Sequence, residues 1–193
     1  LRAAGINFDV VSATVDEVRV RADAVNEAMI ADDIAVFLAL LKAQAASQII
    51  DHSHLTINNS YIIGCDQILL LNDQILAKPK TLAAAKKQLL ELAGKRHELL
   101  SAIVLLHNGH RIWHHLARSS LTMRQFDSNF ASAYLQHIDK AALWSPGAYQ
   151  IESVGASLFV EIKGDYFDIL GLPLLPLLAI LNEHGLCPME LAQ

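Results

Sequence analysis

The sequence predicts an α/β fold built on a mixed sheet. Strand-like apolar runs alternate with alanine-rich helical stretches along the chain, a pattern typical of this class. Two dipeptides, Asn72-Asp73 and Asn108-Gly109, lie between apolar runs and indicate tight hairpins inserted into the alternation. No internal repeat, low-complexity tract or linker divides the 193 residues, so we expect one domain or two intimately packed lobes.

Composition argues against several classes of function. The apolar fraction is 53%, yet uninterrupted apolar runs such as 34–41 are far shorter than the roughly 20 residues that a membrane span needs. The net charge of −5 argues against non-specific binding to nucleic acid. The start of the sequence has no signal-peptide pattern, so we expect a cytoplasmic protein without nucleic-acid or membrane partners. In a reducing compartment, Cys65 and Cys187 are not expected to form a structural disulfide.

The first elements end in a pair of acids. Residues 1–5 are typical of the last turn of a helix that stops at Gly5, and residues 6–11 alternate enough to predict a strand. The polar loop that follows ends in Asp16 and Glu17. Such a pair is usually just solvated; service as a metal or water ligand is the alternative interpretation.

A long helix is predicted from about residue 24 to residue 50, with alanines and an apolar stripe. Lys42 stands beside that stripe, where a lysine normally extends to water unless an anion lies nearby. The pair His52 and His54 has the spacing of metal ligands, but no third ligand accompanies it, so we expect no metal there.

The central stretch, residues 61–80, contains the strongest anomaly. It predicts a buried strand, a turn, a short second strand at 74–77 and a Lys78-Pro79-Lys80 exit. Asp66 lies inside the first strand, where a carboxylate is costly unless it is paired, metal-bound or open to a cleft. Gly64 leaves room for a close approach to the backbone.

Two interpretations of this stretch follow. One acid with two nearby lysines suggests a site for a metal-bound polyanion such as a phosphate chain. The alternative is an Asp66 at a strand end that caps a neighbouring loop, with Lys78 and Lys80 solvated.

Helices and strands continue to alternate in the second half of the chain. The predicted elements are a helix from a Thr81 cap to about Leu92, strands at 95–106 and 111–123, a helix capped by Asp127 or Ser128, a strand at 157–163, an extended piece at 166–170 and a final helix. The final helix is predicted to start at 171–173, with the proline near its first turn, and to run through 174–181 to a stop at Gly185. Glu152, between apolar neighbours after a turn, is a second acid of interest.

In this order the segments resemble the Maf family of nucleoside triphosphate pyrophosphatases. The resemblance covers nearly the whole chain, which makes it far more specific than any single motif. The matching pieces are Phe8-Asp9-Val10, Val15-Asp16-Glu17, Lys42-Ala43, Ile63-Gly64-Cys65-Asp66-Gln67, Ala77-Lys78-Pro79-Lys80, Gly94-Lys95-Arg96-His97, Gly147-Ala148-Tyr149, Gly164-Asp165-Tyr166 and Gly171-Leu172-Pro173-Leu174.

The resemblance implies a Maf/ITPase-like fold: a mixed twisted sheet with flanking helices, and two lobes around a central cleft. It implies a single domain over residues 1–193. The family begins with a strand and a Ser-x-Ser-x-x-Arg-Arg loop that holds the triphosphate, and the given sequence starts just after that point. We therefore expect a domain without this segment, in which lost arginine–phosphate contacts weaken the site.

The resemblance also implies a reaction and roles for residues. The reaction is hydrolysis of a nucleoside triphosphate to the monophosphate and diphosphate with a divalent cation, Mg²⁺ or Mn²⁺. Asp66 matches the proton acceptor and a metal ligand, and Glu17 matches an acid that shares in positioning metal or water. Lys42 and Lys78 match cations beside the phosphates. A homodimer is plausible by the same resemblance.

Substrate choice in the family follows the positions that are Gln67 and Glu152 here. This pair resembles the branch that acts on 7-methyl-GTP more than the dTTP and UTP branch. A glutamate can accept the two donors on a guanine edge, whereas uracil and thymine offer one ring N–H. Two alternatives stay open: a catalytically silent nucleotide-binding regulator of septum formation, and a phosphohydrolase acting on another small phosphorylated molecule.

Overall fold

The computed structural model describes residues 1–52 and 60–186, with side chains for all of these except residues 51 and 52. His54 and Cys187 lie outside the described residues, and with them the histidine-pair and cysteine-pair expectations. Cys65 is a free thiol. The helices are α1 Glu17–Asn26, α2 Ala31–His52, α3 Leu82–Leu92, α4 Ser128–Ile138, α5 Tyr166–Ile169 and α6 Leu174–Glu183. The strands are β1 Tyr61–Leu71, β2 Gln74–Leu76, β3 Arg96–His107, β4 His110–Met123 and β5 Phe159–Lys163.

The strands of the described residues form one five-stranded sheet in the order β2-β1-β3-β4-β5. β2 pairs with β1, and β5 with β4, in antiparallel register. The α/β class is confirmed, with antiparallel pairs where the sequence suggested a mixed sheet. For β1 with β2 and for β3 with β4 the cause is a two-residue turn, which can join only antiparallel neighbours. Asn72 and Asp73 have φ of 51° and 61°, and Asn108 and Gly109 have 50° and 79°, as the twist-compatible hairpin turn requires.

The chain divides into two compact units. The first comprises Leu1–Asp66, Ser101–Ala117 and Gly171–Gln193, and the second comprises Gln67–Leu100 and Arg118–Leu170. β1, β3 and β4 contribute residues to both.

In the first unit, α2 packs against β1 at Gly64. A Cβ added to Gly64 would collide with the Ala39 carbonyl oxygen and lie 2.8 Å from the Ala43 Cβ. The backbone that approaches Gly64 is therefore that of α2, whose Ile34, Leu38, Ala39 and Ala43 are buried. A second cluster of this unit packs α6 on β3 through Ile6, Ile103, Leu105, Leu177 and Leu181.

α2 is long and apolar enough to cross a membrane, judged by length and composition alone. The sequence of α2 is not uniformly apolar. Its buried face is rich in alanine and leucine, whereas Asp32, Asp33 and Lys42 are charged residues of the same helix. One face of α2 packs on β1 at Gly64.

The core of the second unit is formed where α3 and α4 pack with β1 and β4. Both helices begin at the predicted caps: Thr81 Oγ1 accepts from the Ala84 N–H at 3.1 Å, and Asp127 Oδ1 accepts from the Phe130 N–H at 2.8 Å. The largest fully buried members of the core are Leu69, Leu89, Leu92, Leu121 and Met123.

Three predicted elements are wrong. Residues 6–11 form no strand, and Val10 is 78% exposed, so the alternation there has no partner surface. The single helix at 24–50 is two helices, α1 and α2, separated where Ala28 takes a φ of 56°. Residues 166–169 are helical rather than extended, because Asp165 caps them by accepting from the Phe167 N–H at 2.8 Å.

Candidate functional site

A cluster of partly exposed charged side chains surrounds the buried Asp66 in the first unit. Asp66 lies in the middle of β1 with its side chain 3% exposed, so it does not cap a loop at a strand end. The Lys42 ammonium, from α2, lies 2.6 Å from Asp66 Oδ1. The same ammonium lies 2.8 Å from Glu17 Oε1, at the first residue of α1. Three elements that are distant in sequence thus place two carboxylates on one lysine.

Arg21 is the fourth member of this cluster, and sequence reasoning missed it. Its guanidinium donates to Glu17 Oε2 at 3.1 Å and lies 3.7 Å from Asp66 Oδ2. Glu17 and Arg21 are four residues apart on α1, the spacing that brings two side chains onto one helix face. Asp16 caps this helix by accepting from the Arg19 N–H at 3.1 Å. The sequence therefore contained a signal for this part of the cluster: a helix cap at Asp16 followed by the i,i+4 pair of Glu17 and Arg21.

Electrostatics leave Asp66 a stronger base than a solvated aspartate. Burial raises the pKa of Asp66, and the ammonium of Lys42 opposes this rise without cancelling it. Burial by itself lowers the pKa of Lys42, but the carboxylates of Asp66 and Glu17 outweigh it and raise that pKa overall. Asp66 Oδ2 is buried without a hydrogen bond from the described residues. This oxygen lies 3.7 Å from the Arg21 guanidinium.

Cys65 does not supply a nucleophile beside this cluster. Burial raises the pKa of its thiol to about 12, and the thiolate is the reactive form. Among the described residues no group of three or more His, Cys, Asp or Glu side chains is arranged for a metal ion. Glu17 and Asp66 are two carboxylates that share the Lys42 ammonium.

The second unit contains a pocket of about 130 Å³ that includes two of the predicted substrate residues. Gln67 lies in it directly after Asp66 in β1, and its Nε2 donates to the carbonyl oxygens of Asp168 at 3.2 Å and Ile169 at 3.0 Å. Glu152 is an exposed residue of the rim. The lining residues are Gln67, Leu99, Ser145, Pro146, Tyr149, Gln150, Ile151, Glu152, Ile169 and Leu170.

The wall of this pocket is held by a buried aromatic residue, Tyr149. Its hydroxyl lies 2.9 Å from His97 Nε2, and its carbonyl oxygen accepts from Ser145 Oγ at 3.0 Å. Burial lowers the pKa of His97 to about 4, so the imidazole is neutral at pH 7. Tyr134 adds a further contact, because its hydroxyl accepts from the Gln150 N–H at 3.4 Å. These contacts fix the Tyr149 side of the pocket.

Lys78 lies in the second unit as an exposed residue just after β2. Within the first unit, the cations that accompany Asp66 are Lys42 and Arg21. The structure thus brings Glu17, Lys42 and Asp66 together in one unit. Gln67 and Glu152 line one pocket in the other.

A buried carboxylate beside two cations, with a pKa that burial raises, is the kind of perturbed group that clusters at enzyme sites. The family model described as Maf-like protein matches residues 1–184. The chain belongs to the Maf-like protein family.

Curated relatives agree with this membership. A protein of Brucella suis named 7-methyl-GTP pyrophosphatase is 44% identical over 95% of this chain and 89% of its own length. A protein of Rhodospirillum rubrum named nucleoside triphosphate pyrophosphatase is 42% identical over 96% of this chain and 88% of its own. A Mesorhizobium japonicum protein named 7-methyl-GTP pyrophosphatase is 40% identical over 94% and 88%.

Proposed function

We propose that this protein is a nucleoside triphosphate pyrophosphatase that hydrolyses a nucleoside triphosphate to the monophosphate and diphosphate. The observation that carries the proposal is the buried Asp66 carboxylate, held by Lys42 and Arg21 and left with one oxygen that accepts no hydrogen bond from the described residues. Relatives more than 40% identical are named for this activity.

Asp66 is the general base in this proposal. Its Oδ1 is engaged by Lys42, so Oδ2 takes the proton from the attacking water. The water oxygen forms the new bond to phosphorus, the anhydride bond between the α and β phosphates breaks, and the bonding electrons leave on diphosphate. The raised pKa of Asp66 favours the proton transfer, because a base with a higher pKa holds the proton more firmly.

The cations of the site oppose the charge of the substrate. Lys42 remains an ammonium because the neighbouring carboxylates raise its pKa. We infer that Lys42 meets the phosphate oxygens and stabilises the charge that develops on the leaving diphosphate. We propose Lys78 as a further phosphate-binding cation. Arg21 keeps Glu17 and Asp66 oriented through its contacts to one oxygen of each.

The donor set at Asp66 fits a divalent cation, Mg²⁺ or Mn²⁺. Glu17 Oε1 and Asp66 Oδ1 already face one positive charge, the Lys42 ammonium, at 2.8 and 2.6 Å. Asp66 Oδ2 is a buried oxygen with no donor from the described residues. Magnesium is commonly held by one or two carboxylates together with substrate phosphates. When bound, such an ion supplies Lewis-acid polarisation of phosphoryl oxygens and of water.

The pocket beside Gln67 is proposed to take the base. Glu152 on its rim can accept two hydrogen bonds from a guanine edge but only one from the ring N–H of uracil or thymine. We therefore propose a preference for a guanine-type or modified nucleotide such as 7-methyl-GTP over dTTP and UTP. The relatives named for 7-methyl-GTP support this choice.

The test is diphosphate release with Mg²⁺ or Mn²⁺ across UTP, dTTP, CTP, GTP and 7-methyl-GTP. Asp66→Asn removes the base, and Asp73→Asn is the matched control, because Asp73 is exposed and its φ of 61° suits asparagine. We expect Asp66→Asn to lower kcat by at least about 100-fold, as loss of a general base does. Asp73→Asn should match the wild type.

Three outcomes decide the proposal. Activity that survives Asp66→Asn would contradict the assignment of the base. Nucleotide binding without any hydrolysis by the wild type would favour a silent nucleotide-binding regulator. Faster release from dTTP and UTP than from GTP and 7-methyl-GTP would overturn the assigned preference. A homodimer and a cytoplasmic location are separate proposals. Sedimentation equilibrium measures whether the protein is a dimer.

A further inference from the structure

Gln88 of α3 joins two segments of the second unit with one side chain. Its Nε2 donates to the carbonyl oxygen of Ala77 at 2.6 Å. Its Oε1 accepts from the Gly147 N–H at 3.1 Å. Ala77 directly precedes Lys78, and Gly147 lies in the turn between Pro146 and Tyr149, which line the pocket.

The two partners of Gln88 demand opposite roles from it. A carbonyl oxygen only accepts and a backbone N–H only donates, so the side chain must offer a donor at one end and an acceptor at the other. A carboxamide offers both: its NH2 group faces the Ala77 carbonyl oxygen and its oxygen faces the Gly147 N–H, so only one orientation of the amide serves both partners. A glutamate would place an acceptor against the Ala77 carbonyl oxygen, and leucine would serve neither partner. An amide at position 88 therefore matches both partners.

The turn at Gly147 has little freedom of its own. Gly147 has a φ of 80°, and a Cβ added there would lie 2.6 Å from the Tyr149 ring and 2.8 Å from Leu69. Ser145 Oγ closes the turn on the Tyr149 carbonyl oxygen at 3.0 Å. An amide tied to this rigid turn therefore restrains the segment at its other end, the backbone just before Lys78.

We propose that Gln88 is a positioning residue of the nucleotide site. It fixes the backbone of Lys78 relative to the turn of the base pocket, so that the cation meets the phosphates while the base occupies the pocket. This inference rests on the proposed function. Gln88 acts through Lys78: its amide ties the backbone just before that residue to the Gly147 turn, which is the fixed end of the link.

The experiment is a double-mutant cycle on kcat/KM with the preferred nucleotide. Gln88→Leu and Gln88→Glu should each lower kcat/KM by about 10-fold or more, because both lose the hydrogen bond to the Ala77 carbonyl oxygen and leucine also loses the one from the Gly147 N–H. Lys87→Leu, an exposed residue of the same helix, is the control and should leave kcat/KM unchanged. In a Lys78→Ala background, Gln88→Leu should cost less than about twofold, because a residue that acts through Lys78 has nothing left to position.

A merely structural role predicts something else. Gln88→Leu would then lower kcat/KM by the same factor with and without Lys78, in step with the loss of thermal stability, and that result would overturn the inference. Full activity in Gln88→Glu would overturn it as well, because glutamate cannot donate to the Ala77 carbonyl.

Nucleotide binding separates this inference from the proposed function. The same cycle is measured by calorimetric titration of GTP into proteins that also carry Asp66→Asn. If the wild type releases no diphosphate, the proposed function fails. The inference would still be supported if Gln88→Leu weakened GTP binding about 10-fold when Lys78 is present and had little effect in the Lys78→Ala background. Equal weakening in both backgrounds, or no nucleotide binding by the wild type, would overturn it.

Discussion

Removing Lys42 should make the stability of the protein strongly dependent on pH. In the Lys42→Met variant, Asp66 keeps a side chain that is 3% exposed but loses the ammonium at 2.6 Å. The remaining cation, Arg21, is 3.7 Å from the other carboxylate oxygen. Removing one partner of a buried pair costs about 3–5 kcal/mol. Because Lys42 is 27% exposed and Arg21 remains, we expect the lower value, about 3 kcal/mol at pH 8.

The sign of the pH dependence follows from the pKa of Asp66. Burial already raises that pKa, and loss of Lys42 raises it further, because the cation that opposed the rise is gone. Between the ordinary aspartate pKa and this raised value, the folded state binds the proton and the unfolded state does not. Stability therefore falls as the pH rises through the folded pKa. The loss in Lys42→Met should be small near pH 4 and largest at pH 8.

Urea denaturation at pH 4.5, 6 and 8 measures this effect. Lys87→Met, the same change on an exposed lysine of α3, is the control and should stay within about 0.5 kcal/mol of the wild type. Adding Asp66→Asn to Lys42→Met should restore most of the stability at pH 8, because no buried carboxylate remains. An equal loss at all three pH values, or no recovery in the double variant, would refute the reasoning.

Two further predictions concern other buried positions. Burial lowers the pKa of His97 to about 4, below the ordinary histidine value of about 6.5. As the pH falls, the unfolded state therefore binds this proton before the folded state does. We expect about 3 kcal/mol of stability to be lost between pH 6.5 and pH 4. Urea denaturation should show this slope in the wild type and in the control His114→Gln but not in His97→Gln; an unchanged slope in His97→Gln would contradict it. Gly64→Ala should lower the free energy of unfolding by about 2 kcal/mol, because the new Cβ meets Ala43 at 2.8 Å. A melting curve like that of the wild type would mean that α2 and β1 are not packed as described.

Elements fixed by local chemistry could be predicted from the sequence. The hairpin turns need residues that tolerate positive φ, and Asn72-Asp73 and Asn108-Gly109 supply them. The caps Thr81 and Asp127 likewise satisfy backbone donors within three residues of themselves. These features depend on neighbours in the chain, so one sequence suffices to find them.

Elements that depend on tertiary contacts could not be predicted. The alternation in residues 6–11 suits a strand, but a strand also needs a partner. The helix at 166–169 is short, and the Gln67 side chain donates to two carbonyl oxygens at its end, a contact across about 100 positions that no local pattern contains.

The candidate site was partly accessible from the sequence. Asp66 was visible as an acid within an apolar strand, and the family resemblance pointed to Glu17 and Lys42. Arg21 was missed because the start of α1 was interpreted as loop, which hid its i,i+4 relation to Glu17. Gln88 was missed because its two partners are backbone groups from segments that only the fold brings together.

The central claim is that the anhydride bond between the α and β phosphates is broken with Asp66 as the base. The most direct measurement is ³¹P NMR of the products formed from GTP and 7-methyl-GTP by the wild type, by Asp66→Asn and by the control Asp73→Asn. We predict monophosphate and diphosphate from the wild type and the control, and almost no product from Asp66→Asn. Formation of nucleoside diphosphate and orthophosphate, or equal rates in all three proteins, would contradict the claim.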